Sequence, residues 1–127
     1  MPDRFNMSGD FRGAIINIKS TLTDVQQSVG EIHTDDQDTR KELERLIGQL
    51  SEALQNVPGE NQEQAQAVAE TAKVLVDTAK ADKPNKTMIK ITGEGLKQAA
   101  QHLAGVMPVV VKLAGQIAAT VGNLVGA

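Results

Sequence analysis

The sequence predicts an all-α protein, a four- to five-helix bundle with coiled-coil-like heptad stripes. Apolar residues recur at three- and four-residue spacings over most of the chain, which is the period of one helix face. Pro and Gly punctuate the periodic segments, as they do where helices end. Only 2% of the residues are aromatic and none is Cys. Packing between aliphatic helix faces, rather than a disulfide framework, therefore has to hold the fold together.

The length of 127 residues corresponds to one domain. We expect a flexible N-terminal tail over residues 1–10 and a single helical domain over residues 11–127, because Phe11 is the first residue of a regular apolar stripe. The helices are predicted at about residues 13–33, 36–57, 60–81, 86–106 and 109–125.

The first predicted helix is the ambiguous one. From Phe11 to Ile32 apolar residues alternate at four- and three-residue spacings, which is typical of a coiled-coil-like stripe. The β-branched residues in 14–19 and the preceding Gly13 also suit a short strand. The longer period favours a helix, and a short strand over residues 13–19 remains the alternative.

The next two segments are predicted to be helices joined by a short turn. In residues 35–57 apolar side chains occupy one face and charged side chains the other. Thr34, Asp35 and Asp36 offer side-chain oxygens to cap its start. In residues 60–81 the stripe is mostly Ala, and Pro58 and Gly59 separate the two segments. So short a connection predicts an antiparallel helical hairpin.

A seven-residue apolar repeat runs from Ile89 to Leu124. One long helix would satisfy it, but Pro108 removes a backbone donor and clashes with the preceding turn. We therefore expect a helix up to about Val106, a kink or break, and a final helix over residues 109–125. Residues 87–92 also alternate like a strand, which stays as an alternative.

No catalytic or metal-binding pattern emerges from the sequence. His33 precedes Asp35, Asp36 and Asp38, but the run lacks the register of a calcium loop and coincides with a helix start, where acids are expected. His102 is expected to be exposed or at an interface. Gly93, Glu94 and Gly95 do not match a phosphate-binding loop and favour a flexible helix start. Glu42, Glu44 and Glu52 lie opposite the Leu stripe and favour a solvated face.

Because no nucleophile, base and orienting group can be assembled, we expect no enzyme activity, cofactor or metal. The net charge of −3 and the scarcity of aromatic residues argue against nucleic acid as a partner. Charge is nevertheless uneven: residues 31–82 carry twelve acids and five bases, and residues 83–127 carry five Lys and one acid. These two parts are expected to attract each other, within a subunit or between subunits.

The C-terminal stretch is unusually apolar. From Leu103 to Ala127 the only charge is Lys112. Small residues recur every four positions, a spacing that permits close helix packing in proteins or in membranes. This helix must lie at the centre of a bundle, be buried in an oligomer, or enter lipid, and Pro108 and Lys112 weigh against a stable membrane span. The recurring small residues are Ala114, Ala118, Gly122 and Gly126.

The order of segments resembles a known kind of module. A Gly-punctuated segment over residues 9–18 precedes the acidic Leu helix with Glu42 to Leu46, then the Pro-Gly turn and the Glu/Ala helix. Residues 83–86 then lead into Gly95 to Lys97 and the apolar tail. This arrangement resembles an uncharacterised bacterial helical module that recurs at the C-terminal end of multidomain signalling and defence-type proteins. The resemblance implies an interaction module and brings no catalytic residue.

We therefore interpret the chain as a non-enzymatic homo-oligomerisation or adaptor module, because its two long stripes exceed what a monomer of this length needs. We expect it in the cytoplasm, because it has no Cys and its first residues lack the basic start and apolar core of a secretory signal. The partners expected are further copies of the chain and, as an alternative, another protein's amphipathic helix. A membrane-active protein that inserts its C-terminal helix is the rival interpretation. The residues expected to pack the core or an oligomer seam are Ile18, Leu22, Val25, Leu43, Ile47, Leu50, Leu54, Leu75, Leu96, Leu103, Val110, Ile117 and Leu124.

Overall fold

The computed structural model describes the backbone of residues 2–126 and the side chains of residue 13 and residues 15–126. Within this part the chain forms five α-helices, one 3-10 turn at Gly59–Asn61 and no strand. The all-α fold class is therefore confirmed, and residues 13–19 and 87–92 are both helical. The helices are α1 (Pro2–Val29), α2 (Gln37–Leu54), α3 (Gln62–Ala79), α4 (Lys86–Gln101) and α5 (Pro108–Val125).

The five helices form a closed bundle in which each helix packs against two main neighbours. Around the bundle the order is α1, α3, α4, α5, α2, and α2 returns to pack against α1. Helix α3 also approaches α5 across the interior. Because α4 and α5 lie together on the side away from α1, the surfaces of the C-terminal part of the chain are separated from those of α1.

The predicted hairpin of α2 and α3 is wrong. Helix α2 packs mainly against α1 and α5, whereas α3 packs mainly against α1 and α4. The connection is longer than the Pro-Gly dipeptide suggested, since it runs over residues 55–61 and includes the 3-10 turn. Helix α1 lies between α2 and α3 and separates the two helices that the sequence predicted to be partners.

Side-chain contacts fix the directions of the helices. Lys80 at the end of α3 donates to the Ser28 hydroxyl near the end of α1 at 3.3 Å, so these neighbours run parallel. The Gln26 amide donates to the Glu44 carbonyl at 3.1 Å, which joins the end of α1 to the first half of α2 in an antiparallel pair. The turns at residues 80–85 and 102–107 likewise make α3 with α4, and α4 with α5, antiparallel neighbours.

Helix α1 begins earlier than expected. It starts at Pro2, so residues 2–10, which we expected to form a flexible tail, have helical backbone. Pro is well suited to a first helical turn, and Gly within a helix costs only about 1 kcal/mol relative to Ala. At 28 residues α1 is about 42 Å long, against about 24–27 Å for the other helices. The side chain of Phe11 lies outside the described residues.

Helix α4 ends at Gln101, five residues before the predicted boundary. Residues 102–106 continue as successive turns, with Leu103 N donating to Ala100 O at 2.9 Å and Val106 N to Leu103 O at 3.1 Å. Pro108 then occupies the first turn of α5, where its missing N–H costs nothing. The predicted break near Pro108 is thus present as a turn, and the seven-residue repeat is divided between two antiparallel helices.

Candidate interaction surfaces

The thirteen residues expected to pack a core or an oligomer seam all lie inside the single chain. Twelve are fully buried, and Leu124 at the end of α5 keeps 9% of its surface exposed. The α1 stripe from Ile18 onward and the stripe on α4 with α5 are therefore covered by the chain's own helices. An interface of the folded chain has to use other residues, which lie on the outer faces of the helices.

The outer side of α4 and α5 carries a groove of about 490 Å³. Its floor is built from small residues, because α4 and α5 approach closely at Gly93: a Cβ there would lie 3.4 Å from the Cβ of Ala118. Gly122 continues the floor one turn further along α5. The close approach leaves an open, apolar channel between two helices. The residues lining the groove, called the α4–α5 groove below, are Ile89, Lys90, Gly93, Glu94, Lys97, Ala118, Ala119, Gly122 and Asn123.

Basic side chains form one wall of this groove. Lys90 and Lys97 lie seven residues apart on the same side of α4 and are exposed. Glu94 lies between them and pairs with Lys97, with Nζ and Oε1 3.2 Å apart. The opposite wall on α5 is uncharged. The groove therefore combines an apolar floor with a positively charged edge.

The outer face of α3 has the opposite character. Glu63, Ala67, Glu70 and Val74 occur at four- and three-residue spacings and are all exposed, so they form one ridge along the helix. Val74 keeps 49% of its surface exposed, although it is a large apolar residue. We call these four residues the α3 ridge. It presents two carboxylates and two apolar side chains to solvent.

The uneven charge seen in the sequence is not neutralised within the chain. The ion pairs among the described residues are mostly local, joining residues three or four positions apart, such as Lys73 with Asp77 at 3.4 Å. The remaining pair joins His33 and Asp82. In the part of the chain that the structure describes, no ion pair links residues 83–127 with residues 31–82. The attraction that we expected between these two parts of one subunit therefore forms no ion pair among the described residues.

The acidic residues next to His33 lie between α1 and α2 and in the first turn of α2. Asp36 caps α2: its carboxylate accepts from Thr39 N at 3.0 Å and from Thr39 Oγ1 at 2.6 Å. These hydrogen bonds hold the pKa of Asp36 below its ordinary value of 3.8. His33 turns away and pairs with Asp82 at 3.2 Å. Among the described residues no group of three His, Asp or Glu side chains is placed to hold a metal ion.

Arg40 is a residue whose role the sequence did not indicate. It was grouped with the solvated face of α2, but its guanidinium donates to the carbonyls of Gly30 and Ile32, both at 3.2 Å. These carbonyls follow the end of α1, where backbone acceptors lack helical partners. Arg40 therefore ties the end of α1 to the start of α2. An Arg in the first turn of a helix after a short loop is the only signal that the sequence offered.

The remaining charged candidates lie on solvated faces. Glu42 pairs with Arg45, and that hydrogen bond lowers the pKa of Glu42 below its ordinary value of 4.5. Glu52 is exposed and Glu44 is half-buried at the edge of the core. His102 is exposed at the end of α4. The structure does not bring these residues together into a cluster.

Helix α5 is the one described helix that is long and apolar enough to cross a membrane. Residues Pro108–Val125 have a mean hydropathy of 1.4, and 33% of them are buried in the bundle. The polar residues Lys112, Gln116 and Asn123 point to solvent, while Ala118 and Gly122 line the groove. The side of α5 that faces away from the core is therefore divided between a polar row and a row of small residues.

Comparison with known proteins found no matching family model, no matching curated protein and no matching solved structure.

Proposed function

We propose that the chain is a non-enzymatic protein-interaction module that associates with further copies of itself and so gathers the chains attached to it. The observation that supports this most directly is that, among the described residues, no ion pair joins the acidic part of the chain, residues 31–82, to the basic part, residues 83–127. Charges of opposite sign that do not meet within a subunit are available to meet between subunits.

The α4–α5 groove supplies the second support. Small residues on its floor let another helix approach closely, and docking of an amphipathic helix in an apolar groove is a recurring mode of recognition. A second copy offers such helices, as does a different protein with an amphipathic segment. The resemblance to a bacterial interaction module agrees with this function. We place the protein in the cytoplasm because a chain without Cys fits a reducing compartment.

Light scattering across a range of protein concentrations tests the proposal. A self-associating chain has an average mass that rises above the monomer mass of 13.5 kDa as the concentration increases. High salt lowers the mass again, because exposed charges separated by about 10 Å are largely screened at 0.1 M and above. A mass of one subunit at every concentration would rule out self-association.

A membrane-active protein is the second candidate, and the apolar composition of α5 favours it. In this hypothesis α5 leaves the bundle and enters lipid. The cost is high, because side chains such as Val110, Leu113 and Ile117 leave the core, and each contributes about 1.5–3 kcal/mol when buried. Lys112 in the middle of the helix adds a further cost in a bilayer. The adaptor function needs neither the removal of these side chains from the core nor the transfer of Lys112 into a bilayer.

An engineered disulfide separates the two candidates. The 3.4 Å between the Cβ positions of residues 93 and 118 approximates the separation in natural disulfides, and the chain has no other Cys. The variant Gly93→Cys with Ala118→Cys locks α5 onto α4 when oxidised and releases it when reduced. If the reduced form floats with liposomes and releases a trapped dye while the oxidised form does neither, the membrane hypothesis holds. Equal behaviour of both forms contradicts it.

A further inference from the structure

We propose that copies of this chain join head to tail, with the α3 ridge of one copy lying in the α4–α5 groove of the next. This inference rests on the self-association proposed above and names the two surfaces that carry it. The surfaces share no residue, so each copy presents both of them at once. Such a heterologous contact builds a ring or a filament, according to whether the rotation between copies closes.

The charges of the two surfaces are complementary. The groove has Lys90 and Lys97 on one wall, and the ridge has Glu63 and Glu70. Both pairs have a spacing of seven residues, which corresponds to about 10.5 Å along a helix. When α3 of one copy lies along α4 of the next, the two carboxylates therefore meet the two ammonium groups in one register. Glu94 then faces the uncharged part of the ridge, which includes Ala67.

The apolar residues also fit. Ala67 and Val74 lie beside the carboxylates and are exposed, and Val74 has no partner that covers its outer half. The floor of the groove offers Gly93, Ala118 and Gly122, whose small side chains leave room for an inserted residue. Burial of Val74 in the groove removes apolar surface from water, which favours association.

Charge excludes the two symmetric arrangements in which a twofold axis passes through one of these surfaces. A twofold axis through the groove would place groove against groove, and one through the ridge would place ridge against ridge. The first arrangement brings Lys90 and Lys97 against the same residues of the other copy, and the second brings Glu63 against Glu70. Like charges in contact weaken an interface. Opposite charges meet wherever a ridge lies in a groove. A head-to-tail contact leaves a ridge and a groove free for further copies, whereas a reciprocal twofold pair would use both surfaces and stop at two chains. A wild-type mass that stops at twice 13.5 kDa therefore overturns the head-to-tail arrangement.

Two charge-reversal variants test this arrangement. The groove variant carries Lys90→Glu and Lys97→Glu, and the ridge variant carries Glu63→Lys and Glu70→Lys. Each variant alone has two surfaces of the same sign, so neither should assemble. In a mixture, the acidic groove of the first variant fits the basic ridge of the second, and the unchanged surfaces also fit. All four substituted positions are exposed, and thermal unfolding followed by circular dichroism verifies that both variants fold.

Solution mass by light scattering is the readout. We expect each variant alone to remain at 13.5 kDa at concentrations where the wild type assembles, and the equimolar mixture to recover the wild-type mass. Matched controls reverse exposed charges elsewhere: Lys19→Glu with Lys41→Glu, and Glu31→Lys with Glu52→Lys. These controls change the net charge equally and should assemble like the wild type.

Each contrary result has a distinct meaning. If the wild type is a monomer at all concentrations, both the proposed function and this inference fail. If the wild type assembles and the variants assemble equally well, the function stands and these two surfaces are wrong. A mixture that stays monomeric also overturns the pairing. If the wild type stays monomeric but the Lys-rich groove binds vesicles of phosphatidylcholine and phosphatidylserine, the groove takes anionic lipid instead of a second copy.

Discussion

Asn85 and Asp36 show how single side chains set the helix boundaries of this fold. The Asn85 side chain accepts from Met88 N at 3.0 Å at the start of α4, and Asp36 makes the equivalent contact at the start of α2. Asp36 was expected to cap from the sequence, because an acid before an amphipathic run is a common helix start. Arg40 was not recognised, since its acceptors are carbonyls brought near it only by the α1–α2 turn.

Removing the Asn85 cap should weaken the fold. Asn85→Ala leaves Met88 N without its acceptor, and we expect the free energy of unfolding to fall by about 1 kcal/mol. Asn85→Asp should keep most of the stability, because Asp caps equally well. Asn17→Ala on the exposed side of α1 is the control and should change little. Urea unfolding measures the free energy of unfolding of all three variants. If Asn85→Ala has the same value as the wild type, the cap does not contribute to stability.

Asp36 should make stability depend on pH in the acid range. Its pKa is lowered in the folded state by the Thr39 hydrogen bonds, so its contribution is fully present above the ordinary value of 3.8 and is lost as the pH falls through the folded value. We expect wild type to be more stable than Asp36→Asn at neutral pH and the difference to shrink below pH 3.8. Thr39→Val should reduce that pH dependence. A difference that is constant with pH contradicts this account.

At the scale of helices, periodicity predicted which faces are buried but not which helices are partners. The stripe of α3 is buried as its 3- and 4-residue spacing indicated, yet its partners are α1 and α4 rather than α2. Spacing along one helix fixes a face and carries no information about the identity of the neighbour. Connection length was the only guide to pairing, and the 3-10 turn at residues 59–61 lengthened that connection.

Two glycines of the α5 region should respond to Ala in opposite directions. Gly115 lies inside α5 with open space around its Cβ position, so Gly115→Ala should stabilise the protein by about 1 kcal/mol through helix propensity. Gly126 ends α5 with a φ of +72°, a conformation that costs other residues about 1–2 kcal/mol. Gly126→Ala should therefore destabilise it. Thermal unfolding measures the stability of both variants. If both substitutions stabilise the protein, or both destabilise it, the end of α5 described here is wrong.

The core face of α5 should be far more sensitive than an outer face of similar chemistry. Ile117 is fully buried, so Ile117→Ala should cost about 2–5 kcal/mol, and Ile117→Asp should prevent folding because the charge would lack a partner. Ile16 on α1 is 64% exposed, and Ile16→Ala should change stability by less than about 0.5 kcal/mol. Denaturant unfolding compares the variants. Similar costs at both positions would contradict the placement of α5.

At the scale of the whole molecule, the length of the apolar stripes predicted self-association, but the structure buries most of their residues within one chain. Two stripes judged too long for a monomer, from Phe11 to Ile32 and from Ile89 to Leu124, suggested an oligomer seam. The first stripe from Ile18 onward and the whole second stripe are buried by the chain's own five helices, and Ile15 is half-buried. What supports the proposed assembly instead is the outer surface, where the Lys side chains of the α4–α5 groove and the carboxylates of the α3 ridge lie on different helices. The sequence shows how many charged residues each segment carries. It does not show which of them share a surface, because that depends on which helices are neighbours.

The average mass of the wild-type chain in solution, measured by sedimentation at increasing concentration in low and in high salt, tests the central claim most directly. We predict a mass that rises well above 13.5 kDa with concentration in low salt and falls back towards 13.5 kDa in high salt. A single species of 13.5 kDa at all concentrations in low salt would contradict the claim.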